Sequence, residues 1–190
     1  MALSNKALVT MEDTKAILEI QNDNRDAILE MQVEGVSAAF DTYTDRALAS
    51  ATYTALELDG NGLNVYQLPN WPVTTLTSIE LDGVLLAEGF DFVLDHATGR
   101  LRLMESRAVW TDAAKNIKIT YTAGYVIATA VPKDLRMAAL TQIAFEFQQF
   151  VQKAWGITNR GQAGSNTSYE EGGLLKRVKA LLDPYRRRGI

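Results

Sequence analysis

The stretch NIKITYTAGYVIATAVPKDLRMAALTQI, residues 116–143, contains both of the periodicities on which the fold of this chain depends. Apolar and polar side chains alternate over residues 117–123, which predicts a strand with one buried face. From Pro132 onward the apolar residues recur at intervals of three and four, and proline suits the first turn of a helix. The stretch therefore predicts a change from sheet to helix, and with it an α+β fold.

The strand pattern extends N-terminally to about residue 50. The segments that carry it are SATYTALEL (50–58), LNVYQLP (63–69), VTTLTSIELDG (73–83), FDFVLD (90–95) and GRLRLME (99–105). Turn signals between them, at residues 59–62, 82–83 and 96–99, predict hairpins. We expect residues 50–125 to form an antiparallel sheet or small barrel of about six strands. Trp71, which lies between two prolines in a segment unsuited to a central strand, is predicted to fill its core.

Residues 1–49 are predicted to contain two helices. Thr10, with acids in the turn that follows, predicts a capped start for a helix over about residues 11–20. A second helix is predicted over about residues 25–43. The predicted inner faces are Ala16, Ile17 and Ile20 in the first helix, and Ile28, Met31, Gly35, Val36, Ala39, Phe40 and Tyr43 in the second. The small residues around Gly35 would let another helix approach closely. We expect this helix to belong to the same chain, and the alternative is a subunit interface.

The C-terminal part returns to helices. A long helix is predicted from about Pro132 to Trp155, and the Gly- and Ser-rich residues 156–173 are predicted to be a flexible or extended loop. A short amphipathic helix, LLKRVKALLD, follows and ends at Pro184. We expect residues 1–49 and 126–190 to form one helical bundle, from which residues 50–125 are an inserted β-rich domain.

The composition excludes several kinds of chemistry. The chain has 190 residues, no cysteine and a single histidine, His96, which excludes disulfides, thiol catalysis and histidine-rich metal sites. No phosphate-binding loop or paired-carboxylate pattern occurs, so we predict no catalytic residue, metal or cofactor. No stretch approaches the roughly 20 apolar residues of a membrane span, and we expect neither a membrane segment nor a leader. The alternative is a small enzyme or ligand-binding domain with a site near His96 and Trp71.

Charge is unevenly distributed along the chain. The net charge of −4 combines a balance of −9 over residues 1–130 with +5 over residues 131–190. The basic end contains Lys176, Arg177, Lys179, Arg186, Arg187 and Arg188. An acidic body beside a basic end suits pairing between copies or docking to an acidic partner.

The order of several segments resembles that of the head–tail connector proteins of long-tailed bacteriophages, which are also called head-completion or adaptor proteins. The segments are MEDTKAILEI, DTYTDRALASATYT, LPNWPVTTLTSIELDGVLL, GRLRL, KITYTAGY, VPKDLRMAAL and LLKRVKALLDPYRRR. They span nearly the whole chain, and the succession of YTAGY, VPKDL and LLDPYRRR is the most specific part.

The resemblance implies a structural protein of the virion neck, synthesised in the host cytoplasm. It implies a ring, usually of twelve copies, beneath the portal vertex, which extends the channel through which double-stranded DNA passes and provides a surface for the tail-side neck protein. An acidic body suits such a channel because carboxylates make no phosphate contacts. The resemblance also implies contact with the portal protein by the C-terminal segment. In this chain the implied portal-binding residues are Lys176, Arg177, Lys179, Tyr185, Arg186, Arg187 and Arg188.

Overall fold

A computed structural model describes residues 3, 6–104, 109–127, 129–151 and 173–187, together with the backbone of residues 159–162 and 165–168. The chain divides into two compact units. We call them the helical unit, formed by Met1–Asp45 and Ile127–Arg186, and the β unit, formed by Arg46–Val126 and Arg187–Ile190. The predicted α+β class is confirmed.

The helices are α1 (Met11–Leu18), α2 (Asp26–Thr44), α3 (Lys133–Val151) and α4 (Lys176–Leu182), followed by a 3-10 turn at Asp183–Tyr185. The strands are β1 (Ala51–Leu58), β2 (Val65–Gln67), β3 (Val73–Leu81), β4 (Val84–Leu85), β5 (Phe92–Asp95), β6 (Arg100–Leu103), β7 (Ile117–Ala123), β8 (Asn159–Gln162) and β9 (Ser165–Ser168). The predicted end of the long helix near Trp155 lies outside the described residues.

In the helical unit, a capped turn and an ion pair fix α1. The Thr10 hydroxyl accepts a hydrogen bond from the Asp13 backbone N–H at 3.1 Å, which satisfies one of the free donors of the first turn. The Asp13 carboxylate pairs with the Arg136 guanidinium on α3. The predicted cap is therefore confirmed, and its acid also joins α1 to α3.

The buried faces of α1 and α2 differ from those predicted. In α2 the buried residues are Leu29, Val33, Val36, Ser37, Phe40 and Thr44, whereas Met31 and Gly35 are exposed. In α1, Ala16 and Ile17 are exposed and Thr14 is buried. Two overlapping stripes in α2 have helical spacing, and packing of the whole bundle selects between them.

The β unit contains two antiparallel sheets around one core. One has the order β1-β7-β3-β4 and the other the order β2-β6-β5. Side chains from both sheets, among them Ile79, Ile119, Phe92 and Leu101, join a single buried cluster. Among the described residues the seven strands form no closed barrel, so the predicted sheet or small barrel is two sheets that share a core.

The turn signals have different outcomes. Asp82 and Gly83 close the β3–β4 hairpin, and residues 96–99 close the β5–β6 hairpin, as predicted. Residues 59–62 do not form a hairpin, because they connect β1 in one sheet to β2 in the other. A Cβ atom at Gly60 would lie 1.8 Å from the Thr111 carbonyl oxygen, so close backbone packing explains this glycine.

Gly124, in the YTAGY segment, lies where β7 ends against the start of the β unit. Its φ of +107° and a Cβ position only 2.4 Å from the Ala49 carbonyl oxygen both exclude a side chain. Its N–H donates to the Pro72 carbonyl at 2.9 Å, and the Tyr125 N–H donates to Leu48 at 2.7 Å. This glycine therefore lets three chain segments meet at one place.

Trp110, not Trp71, fills the β-unit core. Trp110 is fully buried in the core cluster, whereas Trp71 is half-buried with the Arg46 guanidinium 3.9 Å from its ring centroid. The two prolines beside Trp71 fix the path of a loop at the edge of the sheets. Because the indole ring meets a cation there, the prediction of a core role for Trp71 is wrong.

Residues 156–173 were predicted to be a flexible or extended loop, which is wrong for part of the segment. The backbone of Asn159–Gln162 pairs antiparallel with that of Ser165–Ser168. Pairing of this kind uses backbone groups. A composition without an apolar face therefore does not exclude it.

We expect Trp110→Ala to lower the free energy of unfolding of the β unit by about 3–5 kcal/mol, because it removes a large, fully buried side chain. Phe90→Ala is the matched control, since Phe90 is 73% exposed. Urea unfolding followed by near-UV circular dichroism measures both. Equal effects of the two substitutions would contradict the assignment of Trp110 to the core.

We expect Asp13→Asn to destabilise the protein more at neutral pH than at acid pH. Burial raises the pKa of the Asp13 carboxyl, but hydrogen bonds from Thr10 and Arg136 outweigh it and lower the pKa below the ordinary value of 3.8. The folded state thus binds protons less readily than the unfolded state. The stabilisation is fully present above the unfolded pKa, and it is lost as the pH falls through the folded pKa.

Urea unfolding of wild type and Asp13→Asn at neutral pH and at about pH 2 tests this dependence. Glu12→Gln, on an exposed neighbour in the same turn, controls for the loss of a helix charge. An equal destabilisation by Asp13→Asn at both pH values would refute the contribution of the carboxylate.

Candidate docking site at the C-terminal helix

The predicted portal-binding residues belong to α4 and the turn after it. The seven-residue helix α4 buries Val178 and Leu182 in the helical unit. Lys176, Arg177 and Lys179 are exposed. The helix thus separates an apolar side from a side that presents cations to the surroundings.

The buried amide of Gln142, on α3, holds the start of α4. Its Oε1 accepts a hydrogen bond from the Leu175 N–H at 3.1 Å, and its Nε2 donates to the Gly173 carbonyl at 3.1 Å and to Glu146 at 2.9 Å. Gln142 is only 1% exposed. Since all of these polar groups are paired, the amide fixes the chain at the entrance to α4 without leaving an orphaned group in the core.

Two tyrosine hydroxyls hold the end of the segment. The Tyr185 hydroxyl donates to Asp134 at 2.8 Å, and the Tyr43 hydroxyl donates to Asp183 at 2.7 Å. The bond to Asp183 raises the pKa of Tyr43, because the carboxylate stabilises the protonated phenol. Hydrogen bonds to α2 and to the first turn of α3 thus fix the 3-10 turn.

The Arg186 guanidinium lies 5.2 Å from the centroid of the Tyr43 ring. A cation near an aromatic ring at this distance is attracted by the negative face of the ring. Arg186 and Arg187 are both exposed. Arg186 therefore has a preferred position at the surface of the helical unit.

The structure thus divides the predicted residues into two kinds. Five cations (Lys176, Arg177, Lys179, Arg186 and Arg187) are exposed, whereas Tyr185 is half-buried and bonded to Asp134. Arg188 lies outside the described residues. The sequence analysis did not identify Gln142 as the residue that holds the start of α4. The signal for it was a polar residue among the apolar positions of α3.

The alternative site brings Trp71 and His96 into one neighbourhood. Gly99, in the turn that contains His96, packs against Trp71, and the His96 ring nitrogen Nδ1 lies 2.9 Å from the Val73 carbonyl oxygen. Its Nε2 lies 3.7 Å from a Glu88 carboxylate oxygen. Through these contacts the turn at residues 96–99 is held against Trp71 and the start of β3. His96 itself is exposed.

In the described part of the chain, no group of three or more His, Asp or Glu side chains is arranged to hold a metal ion. No described helix has the length and apolar character needed to cross a membrane.

The family model of the head completion protein matches residues 7–188, almost the entire length of the chain. The chain belongs to the head completion protein family. The resemblance to head–tail connector proteins is thereby confirmed, and a structural virion protein, not an enzyme, is what the family describes. The family match thus supports a structural protein over the alternative of a small enzyme or ligand-binding domain near His96 and Trp71.

Solved structures of similar fold come from gene transfer agent (GTA) particles. A chain in the neck of an empty GTA particle, computed with C6 symmetry, is 24% identical with a TM-score of 0.56. A chain in the virion of the native particle is 20% identical with a TM-score of 0.56, and one in the neck of the native particle, computed with C12 symmetry, is 22% identical with a TM-score of 0.53. Each comparison covers 100% of this chain and 94% of the other. No curated protein matches the chain.

We expect Gln142→Ala to loosen α4 while the rest of the helical unit stays folded. The substitution leaves the Leu175 N–H and the Gly173 carbonyl without their buried partner, which costs about 1–3 kcal/mol. Hydrogen exchange of the peptide over residues 174–185 should therefore accelerate roughly tenfold or more. Gln148→Ala, at an exposed position of the same helix, is the control. Unchanged exchange in Gln142→Ala would disprove the anchoring role.

Proposed function

We propose that this protein forms a ring in the neck of a virion, beneath the portal vertex, where it extends the DNA channel and joins head to tail. The observation that carries the proposal is the family match over residues 7–188, which identifies a head completion protein. The similarity in fold to chains from the neck of GTA particles supports the same location.

Twelve copies is the stoichiometry we propose. One of the similar neck structures was computed with C12 symmetry and another with C6 symmetry, and both are compatible with a twelve-membered ring. The net negative charge of residues 1–130 suits a ring around DNA, because carboxylates form no attractive contacts with phosphates. Double-stranded DNA would then pass through the lumen without sequence-specific binding.

The portal protein is the partner that we propose for the cationic side of α4. Lys176, Arg177 and Lys179 are exposed on a helix whose other side is buried, and exposed Arg186 follows in the same unit. Arg187 is exposed as well and belongs to the β unit. Because Gln142 and the two tyrosines fix the segment, its cations are positioned before any partner binds. Preorganisation of this kind lowers the entropic cost of docking.

The helical body (residues 1–49 and 126–190) and the β insertion (50–125) would act as two domains of the ring subunit. The helical body would carry the portal contact, and a tail-side neck protein would bind the ring on the opposite side.

Cryo-electron microscopy of purified virions, with mass spectrometry of their proteins, tests the proposal. The absence of the chain from intact virions, or its presence there outside the neck, would overturn it.

We expect the triple substitution Lys176→Glu, Arg177→Glu and Lys179→Glu to lower the number of copies per virion by about tenfold, because reversed charges repel an acidic partner. Val178 and Leu182 remain, so the variant should melt at the wild-type temperature. The control variant replaces three other exposed lysines, Lys115, Lys118 and Lys133, by glutamate. Equal incorporation of the two variants would contradict a specific role for α4.

A further inference from the structure

The outer face of the β2-β6-β5 sheet has no described element packed on it. Phe92, Leu94, Leu101 and Leu103 point into the core, so the alternate residues of β5 and β6 face outward. A groove of about 790 Å³ lies on this side, lined by Leu63, Val93, Arg100, Arg102 and Met104 among others. We call it the outer groove.

Arg102 is at the centre of the outer groove. On the middle strand it lies in register with Val65 on one side and Val93 on the other. Leu63, Val93 and Met104 are 47%, 48% and 39% exposed. Among the described residues Arg102 makes no ion pair. Its neighbour Asp95 has a lowered pKa, chiefly through the hydrogen bond from the Thr98 hydroxyl and to a smaller extent through the charge of Arg100. An arginine surrounded by exposed apolar side chains is typical of the centre of a protein interface.

The exposed side of α2 has matching chemistry. Met31 is 72% exposed, and Glu34 lies three residues further on the same side of the helix. Gly35 lies beside them and has no side chain that could obstruct a partner. The space around it is open, since a Cβ atom placed there would meet nothing within 4 Å. This side of α2 thus presents an apolar side chain and, about one turn further on, a carboxylate. The outer groove presents the complement, a cation with apolar side chains around it.

We propose that the outer groove of one copy binds the exposed side of α2 of a second copy, with Glu34 on Arg102 and Met31 among Leu63, Val93 and Met104. We infer that α2 of a second copy is the occupant of the groove, because its carboxylate complements the charge of Arg102. The contact would also bury the exposed apolar side chains of both surfaces together. The two surfaces lie on different units of the chain, so the contact is heterologous and generates a closed ring if its rotation closes. This inference rests on the proposed ring and names the contact between its neighbours.

The absence of cysteine from the chain provides a direct test by cross-linking in virions. Virions that carry the double variant Met31→Cys and Val93→Cys are oxidised and analysed on non-reducing gels. We expect a ladder of covalent multimers, because each copy contributes both halves of a contact. A mixture of the two single variants should give dimers only. The control pair, Met137→Cys with Val93→Cys, uses a residue that is 49% exposed on α3 and should give no ladder.

A charge exchange tests the same contact without cysteines. Arg102→Glu should lower the number of copies per virion about tenfold or more, and adding Glu34→Arg should restore it. Lys133→Glu, at an exposed position outside both surfaces, should leave incorporation unchanged. The melting temperature of each free variant shows whether it folds, and for a variant with a lowered melting temperature the cross-linking result decides.

Four results would overturn the inference. A ring seen by electron microscopy, combined with no Met31–Val93 ladder, would reject this contact while the proposed function stands. Loss of incorporation in Arg102→Glu without restoration by Glu34→Arg would assign the outer groove to another partner. A cross-link from position 93 to a different virion protein would do the same. Absence of a ring in wild-type virions would reject the proposed function and this inference together.

Discussion

The buried amide of Gln142 is the interaction on which the candidate docking site depends. A helix of seven residues is too short to be stable alone, and α4 buries only Val178 and Leu182 fully. Its position therefore depends on polar contacts at its two ends. Gln142 bonds the entrance through Leu175 and Gly173, and the Tyr43 and Tyr185 hydroxyls bond the 3-10 turn beyond it. Two fully buried apolar side chains and hydrogen bonds at both ends thus fix a basic segment on the bundle.

The proposed docking would make two demands on the C-terminal segment. Cations that dock to an acidic partner must stay in solvent, because burying an unpaired charge is expensive. A docking surface must also be rigid enough to present those cations together. The segment meets both demands by anchoring its backbone and its tyrosines while its lysines and arginines remain exposed. In the proposed docking, Tyr185 would support the cations through its hydrogen bond to Asp134, and its contact with the portal protein stays a prediction.

The two units achieve stability in different ways. The β unit surrounds Trp110 with two small sheets, and it uses Gly60 and Gly124 where backbones approach too closely for a side chain. The helical unit combines apolar packing with polar contacts between helices, such as the pair of Asp13 with Arg136. On α2, Met31 is 72% exposed and Glu34 is exposed as well, so this side of the helix can contact another molecule.

Several features follow from local sequence, because they depend on neighbours within one turn or one strand. The Thr10 cap, the hairpin at Asp82 and Gly83, the alternation in β7 and the helical spacing of α3 are of this type. The family resemblance adds the docking hypothesis for α4, since its order of segments extends over nearly the whole chain. Local spacing could not choose between the two stripes of α2, because Met31 and Leu29 both belong to a helical repeat. It also could not distinguish Trp71 from Trp110, since both lie outside regular strands.

The sequence by itself determined the α+β class, the positions of most helices and strands, and the basic character of the C-terminal end. Periodicity and charge are properties of the chain and need no folded neighbour. Only the tertiary structure decided which side of α2 is buried, which tryptophan fills the β-unit core, and which residues hold α4 in place. These depend on contacts between residues far apart in sequence, such as Gln142 with Leu175, and such contacts exist only once the chain has packed.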